Sequence, residues 1–166
     1  NHIGKAYERL ALLDKAYDYY QRALFICNDI NDDAGLAGAL NNLGGLYHSS
    51  GQYGQALGYY QQALLIHEES GNQIGLDGTL YNLGLAYYRV GQGDKAVECL
   101  QRAIDLQKTK GDRTGLARSL HHVGHIYTSL GQPDQAMVPL QEALQLRQAI
   151  DDKVGVTHTL NKIGLA

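Results

Sequence analysis

The sequence contains little proline, no tryptophan and no long apolar run. Only two of its 166 residues are proline, and together with abundant alanine, leucine and glutamine this favours helices over strands. No apolar run approaches the roughly 18 residues that a membrane span requires, so we expect no membrane partner. No segment has the pattern of a signal peptide either.

Cysteine and clustered basic residues are also scarce. Cys27 and Cys99 have no paired spacing, so no disulfide framework is predicted and a reducing, cytoplasmic location is favoured. The net charge is −3. Because binding to nucleic acid requires clustered Lys and Arg, we expect no nucleic-acid partner.

Glycine, by contrast, recurs at a fixed interval of 40 residues, at Gly4, Gly44, Gly84, Gly124 and Gly164. In one copy the surrounding residues are Leu40, Leu43, Gly44 and Tyr47, spaced at i, i+3, i+4 and i+7 on one helix face. Glycine costs up to about 1 kcal/mol inside a helix, so its recurrence indicates close packing. The equivalent tyrosines are predicted to be core or inter-repeat wedges. A fixed period of this length is typical of stacked helical units.

The period predicts a single array that is part of a longer protein. Its divisions are a partial repeat at 1–36, repeats at 37–76, 77–116 and 117–156, and the first helix of another repeat at 157–166. In the repeat at 37–76 we expect helices near 33–50 and 53–70, with Gly51 as the C-terminal stop of the first. Pro139 is predicted to distort the second helix of its repeat.

The repeated segment and the Ala56, Tyr60 and Ala63 that follow it resemble the tetratricopeptide repeat, with its signature W-x2-L-G-x2-Y…A-x3-F. Leucine replaces the usual tryptophan, and the period exceeds the usual one of about 34 residues. This lengthened form is similar to the repeats of Pins-like adaptors, kinesin light chains and bacterial tetratricopeptide regulators. The resemblance implies an all-α, right-handed α-solenoid of antiparallel helix pairs. Its concave groove, lined by the first helix of each repeat, would hold a peptide or a partner helix.

Candidate peptide-binding residues lie on the face of each first helix that the core does not use. They are Asn41, Asn42, His48, Tyr81, Asn82, Tyr88, Arg89, Arg118, His121, His122 and His125. Asn42 and Asn82 are the main candidates, because an amide both donates and accepts and can pair with one backbone amide of an extended peptide. Members of the family use an asparagine immediately before Leu-Gly in this way. The alternative is that both amides are solvated or cap a helix.

The basic residues at the equivalent positions interrupt this series, namely His2, His122 and Lys162. The paired lysines and asparagines with which related repeats bind chaperone tails are absent, so such a tail is not the expected partner.

Three histidines form a cluster in the repeat at 117–156. His121 and His125 are spaced at i and i+4, so both rings could reach one metal ion. The metalloprotease motif also requires a glutamate after the first histidine, and His122 stands there instead. No acidic third ligand is evident. We therefore expect no metal and no cofactor, and a polar, pH-sensitive surface is favoured.

The sequence predicts a protein- or peptide-binding scaffold rather than an enzyme. It contains no phosphate-binding glycine loop and no nucleophile elbow. Two alternatives remain open. One is a ligand-sensing regulatory arm of a larger signalling or transcription-regulating protein. The other is a self-assembly module that associates end to end through its terminal helices.

Overall fold

The computed structural model of the protein describes residues 2–10 and 12–166, without the side chains of His2 and Arg9. These residues form nine α-helices and no strand, which confirms the predicted all-α class. The helices are α1 (His2–Arg9), α2 (Leu13–Asp29), α3 (Asp33–Ser49), α4 (Tyr53–Ser70), α5 (Leu76–Arg89), α6 (Gly93–Lys110), α7 (Arg113–Ser129), α8 (Pro133–Ala149) and α9 (Lys153–Ile163). We call the odd-numbered helices first helices and the even-numbered ones second helices.

The chain is divided into two compact units between Val90 and Gly91. In the first unit each helix from α1 to α5 packs against the next, and α3 also contacts α5. In the second unit α6 to α9 pack in the same sequential way, and α7 also contacts α9. Because the connections are short, successive helices run antiparallel. Each unit therefore contains a pair of first helices in direct contact, α3 with α5 in the first unit and α7 with α9 in the second. The repeat boundaries themselves stay a prediction.

Aspartate side chains begin three of the first helices. In each case the carboxylate accepts a hydrogen bond from the backbone N–H three residues later, which satisfies one of the unpaired donors of the first turn. The pairs are Asp32 with Gly35 at 2.9 Å, Asp112 with Gly115 at 2.9 Å and Asp152 with Gly155 at 2.8 Å. Helix α3 ends before Gly51, whose φ of +76° confirms it as the predicted stop.

The first helix α5 departs from this plan. Asn72 stands where the aspartate caps stand, but its Oδ1 accepts the N–H of Ile74 at 2.8 Å. Gly75, with a φ of +81°, then precedes the helix, which begins only at Leu76. The side chain of Asn72 stabilises a local turn instead of a helix start, so α5 is shorter than α3 and α7.

The recurring glycine has the packing role that its regular spacing predicts. A Cβ added to Gly44 would lie 2.5 Å from Cε1 of Tyr60, a side chain of α4 that is 2% exposed. A Cβ added to Gly124 would overlap Leu140 of α8 in the same way. Only glycine lets the first and second helices of these pairs approach so closely.

Tyr47 fills the space between two successive second helices. Its ring stacks on Tyr59 of α4 at 5.3 Å between centroids and meets Tyr17 of α2 edge-on at 6.4 Å. Tyr47 is thus the inter-repeat wedge that the sequence predicts.

Helix α8 runs without interruption through Pro139. Because proline has no N–H, the carbonyl of Gln135 lacks its usual partner four residues later. The predicted distortion neither breaks the helix nor delays its start.

Candidate peptide-binding surface

Asn42 on α3 and Asn82 on α5 occupy equivalent positions on first helices that contact each other. Both side chains are half-buried. Within the part of the chain that the structure describes, neither amide has a hydrogen-bond partner. An amide needs partners for two N–H groups and a carbonyl, so each can bind an incoming polar backbone.

The side chain of Asn41, the neighbouring candidate, makes a hydrogen bond inside the protein. Its Nδ2 donates to Oγ1 of Thr79 on α5, and its Oδ1 is buried without a partner among the described residues. Asn41 therefore joins α3 to α5 and lies at the contact between two first helices. Tyr81 occupies the equivalent position on α5 and is 8% exposed, which leaves little of its surface for a ligand.

His48 and Arg89 lie near the C-terminal ends of α3 and α5, and both contact Tyr53. The ring of His48 meets Tyr53 edge-on at 5.1 Å, and the Arg89 guanidinium lies 5.4 Å from the centre of the same ring. Burial, and then the charge of Arg89, lower the pKa of His48. Nε2 of His48 is buried without a partner among the described residues. Tyr88 is half-buried one residue before Arg89.

In the second unit the histidine cluster lies on α7. His121 is 8% exposed, and its Nδ1 lies 3.3 Å from Oγ1 of Thr159 on α9. This contact is the equivalent of Asn41 with Thr79, so His121 also lies between two first helices. The ring of His122 meets that of His121 edge-on at 5.4 Å. Arg118 is exposed on the same helix.

Both of these histidines are held neutral. Burial, followed by the charges of Arg147 and other bases, lowers the pKa of His121 to about 4. Burial, followed by the neighbouring histidines and arginines, lowers the pKa of His122 to about 3. His125 is half-buried, and its Nδ1 lies 3.3 Å from Oγ of Ser129. Within the described ranges, no three His, Cys, Asp or Glu side chains are grouped so that they could hold a metal ion.

Sequence reasoning missed Arg147, which is 7% exposed on α8. Its Nη1 donates to the carbonyl of Gly155 and, at 2.9 Å, to Oγ1 of Thr159. Arg147 therefore holds the start of α9 in place, and it hydrogen-bonds to the same threonine hydroxyl that His121 contacts. A signal was present, because Arg147 continues the buried spacing of Leu140 and Ala143 and a charged residue there requires a partner.

A large cleft lies elsewhere, between α2, α3 and α4. It has a volume of about 530 Å³ and is lined mainly by apolar side chains, including Leu24, Phe25, Leu36 and Leu65. None of the candidate residues lines this cleft. We give more weight to the first-helix surface, because Asn42 and Asn82 stand at equivalent positions on two helices that contact each other. Among the described residues, no helix combines the length and apolarity needed to cross a membrane.

Comparison with known proteins identifies the family. The family model of the tetratricopeptide repeat matches residues 1–69 and 76–149. The chain belongs to the tetratricopeptide repeat family, as the sequence pattern predicted. Membership indicates a protein-interaction module. No curated protein matches the chain.

Several solved structures share the fold. BtubC (BKLC) from P. vanneervenii is similar at a TM-score of 0.89 and 23% identity, over 97% of this chain and 67% of that one. Kinesin light chain repeats from Podosopora anserina are similar at a TM-score of 0.80 and 16% identity, over 98% of this chain and 80% of theirs. The Rap conjugation gene regulator of plasmid pLS20, in complex with the Phr* peptide, is similar at a TM-score of 0.78 and 17% identity. That match covers 90% of this chain and 41% of the regulator.

Proposed function

We propose that the chain binds an extended peptide segment along its first helices, with Asn42 and Asn82 pairing with the peptide backbone. The observation that carries this proposal is the pair of half-buried amides without partners among the described residues, on two first helices in contact. Packed helices lie about 8–10 Å apart. An extended chain advances about 3.3 Å per residue, so two amides at this separation would meet backbone groups about three residues apart.

The family supports a binding role without catalysis. Members of repeat families use extended surfaces to hold partners, and the Rap regulator above is in complex with a peptide. Identity of 17% transfers no residue from that protein. A scaffold and a ligand-sensing regulatory arm would share this binding step, and an effector domain in the full-length protein would distinguish them. The proposal requires no cofactor.

The test uses a peptide selected from a phage-displayed random library against the purified chain. We expect Asn42→Ala combined with Asn82→Ala to weaken binding of that peptide about tenfold or more, because two hydrogen bonds of about 0.5–1.5 kcal/mol each are lost. Calorimetry of the synthetic peptide gives the dissociation constants.

The matched control is Asn28→Ala combined with Gln62→Ala, which removes two amides that line the cleft between α2, α3 and α4. Affinity that survives the first pair of changes but falls with the second would move the site to that cleft. Selection that yields no binding peptide would count against a peptide-binding role altogether.

Self-assembly is a second candidate, supported by one observation. Leu160 is 49% exposed on α9, whereas the equivalent Leu40, Leu80 and Leu120 are 5%, 1% and 5% exposed. A second copy that covers α9 would bury this side chain. Light scattering across a concentration series, with Leu160→Gln as the variant, would detect such association and its loss.

A further inference from the structure

The two first helices of the second unit carry basic groups and no acidic ones. Helix α7 contains two arginines and three histidines, and α9 contains two lysines and one histidine. Neither helix contains an aspartate or a glutamate. The nearest carboxylates in sequence, those of Asp112 and Asp152, cap the helix starts and are engaged there.

The first helices of the other unit are different. Helix α3 begins with Asp33 and α5 contains Asp77, while α1 contains Glu8 together with Lys5 and Arg9. At the positions of the two amides Asn42 and Asn82, the second unit has His122 and Lys162. The same position therefore carries an amide on α3 and α5 and a basic side chain on α7 and α9.

Packing brings the basic groups of the second unit together. Helices α7 and α9 contact each other, and His121 reaches Thr159 across that contact. Lys162 and His158 lie on α9 with Thr159. Arg147 donates to Thr159, and its Nε lies 3.8 Å from Oδ2 of Asp152. Because neither helix contains a carboxylate, the lysine and arginine charges of α7 and α9 attract an anion.

From this arrangement we infer that the face formed by α7 and α9 binds an acidic peptide segment. The inference rests on the proposed peptide-binding function and specifies its ligand in the second unit. Lys162 contributes a full positive charge, and the exposed His158 and Asn161 beside it can donate hydrogen bonds to side-chain carboxylates.

A peptide fits this face better than a nucleic acid does. Nucleic-acid affinity comes from many Lys and Arg contacts to phosphates, whereas half of the basic groups of α7 and α9 are histidines. The whole chain also carries a net charge of −3. A short acidic segment needs only a few such contacts.

The experiment compares three fluorescein-labelled peptides of about twelve residues in which serine alternates with Glu, Gln or Lys. At pH 7 and low salt, we expect the Glu peptide to bind the intact chain about tenfold more tightly than the Gln peptide, and the Lys peptide to bind least. Raising NaCl from about 25 mM to about 300 mM should remove most of this preference, since the Debye length falls about threefold. Fluorescence anisotropy gives the affinities.

Two variants with the same change of charge locate the site. Lys162→Glu on α9 should weaken binding of the Glu peptide about tenfold. Arg22→Glu on the exposed face of α2 should change it less than twofold, because Arg22 lies on a second helix of the other unit. Circular dichroism and the thermal midpoint verify that both variants keep their helices.

Any of the following four results would overturn the inference. Equal affinity for the Glu and Gln peptides would leave peptide binding standing and remove the preference for acid. Equal weakening by both variants would show that the preference comes from the net charge of the chain and not from a site on α9. A dT oligonucleotide of the same length that competes as well as the Glu peptide would replace the peptide by a nucleic acid. Failure of all three peptides, together with failure of the library selection, would count against both proposals.

Discussion

Asn41 and His121 are two different side chains that make the same contact between neighbouring first helices. Each follows the first leucine of its repeat by one residue, and each contacts a buried threonine, Thr79 or Thr159, on the next first helix. An amide and an imidazole both carry a donor and an acceptor, so either can pair with the threonine hydroxyl. The two differ in that only the imidazole takes up a proton near neutral pH.

This difference predicts a pH-dependent stability that one substitution removes. In the folded chain the pKa of His121 is lowered to about 4 from 6.5. Between these values the unfolded chain binds more protons than the folded chain, so the free energy of unfolding falls as the pH falls from above 6.5 towards 4. For His121 alone this loss at pH 5 is on the order of 2 kcal/mol.

The variant is His121→Asn, which introduces the residue that the chain itself has at position 41. We expect its free energy of unfolding to fall less than that of the wild type between pH 7.5 and pH 5, by urea titration at both values. His158→Asn controls for removal of one histidine from the surface. Parallel losses in wild type and His121→Asn would show that His121 is not held neutral by the fold.

For individual residues, the sequence predicted some of the core and surface positions and missed others. The i, i+3, i+4, i+7 spacing correctly placed Leu40, Leu43 and Gly44 in the core. It could not separate Asn41 from Asn42, because which of two adjacent positions faces the neighbouring first helix depends on how those helices pack. Arg147 was missed because its partners, at Gly155 and Thr159, belong to the next helix.

At the scale of helices, close approach within a pair depends on glycine. We expect Gly44→Ala to lower the free energy of unfolding by about 1–3 kcal/mol, since its Cβ would overlap the buried ring of Tyr60 and force the core to shift. The gain in helix propensity, up to about 1 kcal/mol, offsets only part of this loss.

Gly58→Ala is the matched control, because Gly58 is also helical and no atom lies within 4 Å of its added Cβ. This change should stabilise the chain by up to about 1 kcal/mol. Denaturation curves of the two variants should therefore move in opposite directions. Stabilisation by both changes would mean that the glycine has no packing role.

The sequence predicted a helix boundary correctly where the residue that caps or stops the helix is next to that boundary in the chain. The predicted bounds of α4 agree with those observed, and Gly51 ends the preceding helix as expected. The start of α5 was not predictable from the period, because Asn72 holds a turn with Ile74 in place of a cap. A single side-chain hydrogen bond thus overrides a pattern that holds at the three aspartate caps.

For the whole molecule, a constant core is combined with variable first-helix surfaces. The core residues of each repeat are nearly unchanged, while half-buried positions supply amides on α3 and α5 and bases on α7 and α9. Stability in such arrays comes from neighbour contacts, so these surfaces can differ without changing the fold. We assign binding to these surfaces and not to the apolar cleft between α2, α3 and α4.

Hydrogen–deuterium exchange of the intact chain, with and without a saturating library-selected peptide, tests this assignment most directly. Backbone amides of first helices should gain protection when the peptide binds, because a bound segment stabilises the helices that it contacts. We predict added protection in α3 and α5, in α7 and α9, or in all four. Added protection confined to α2 and α4 would contradict it.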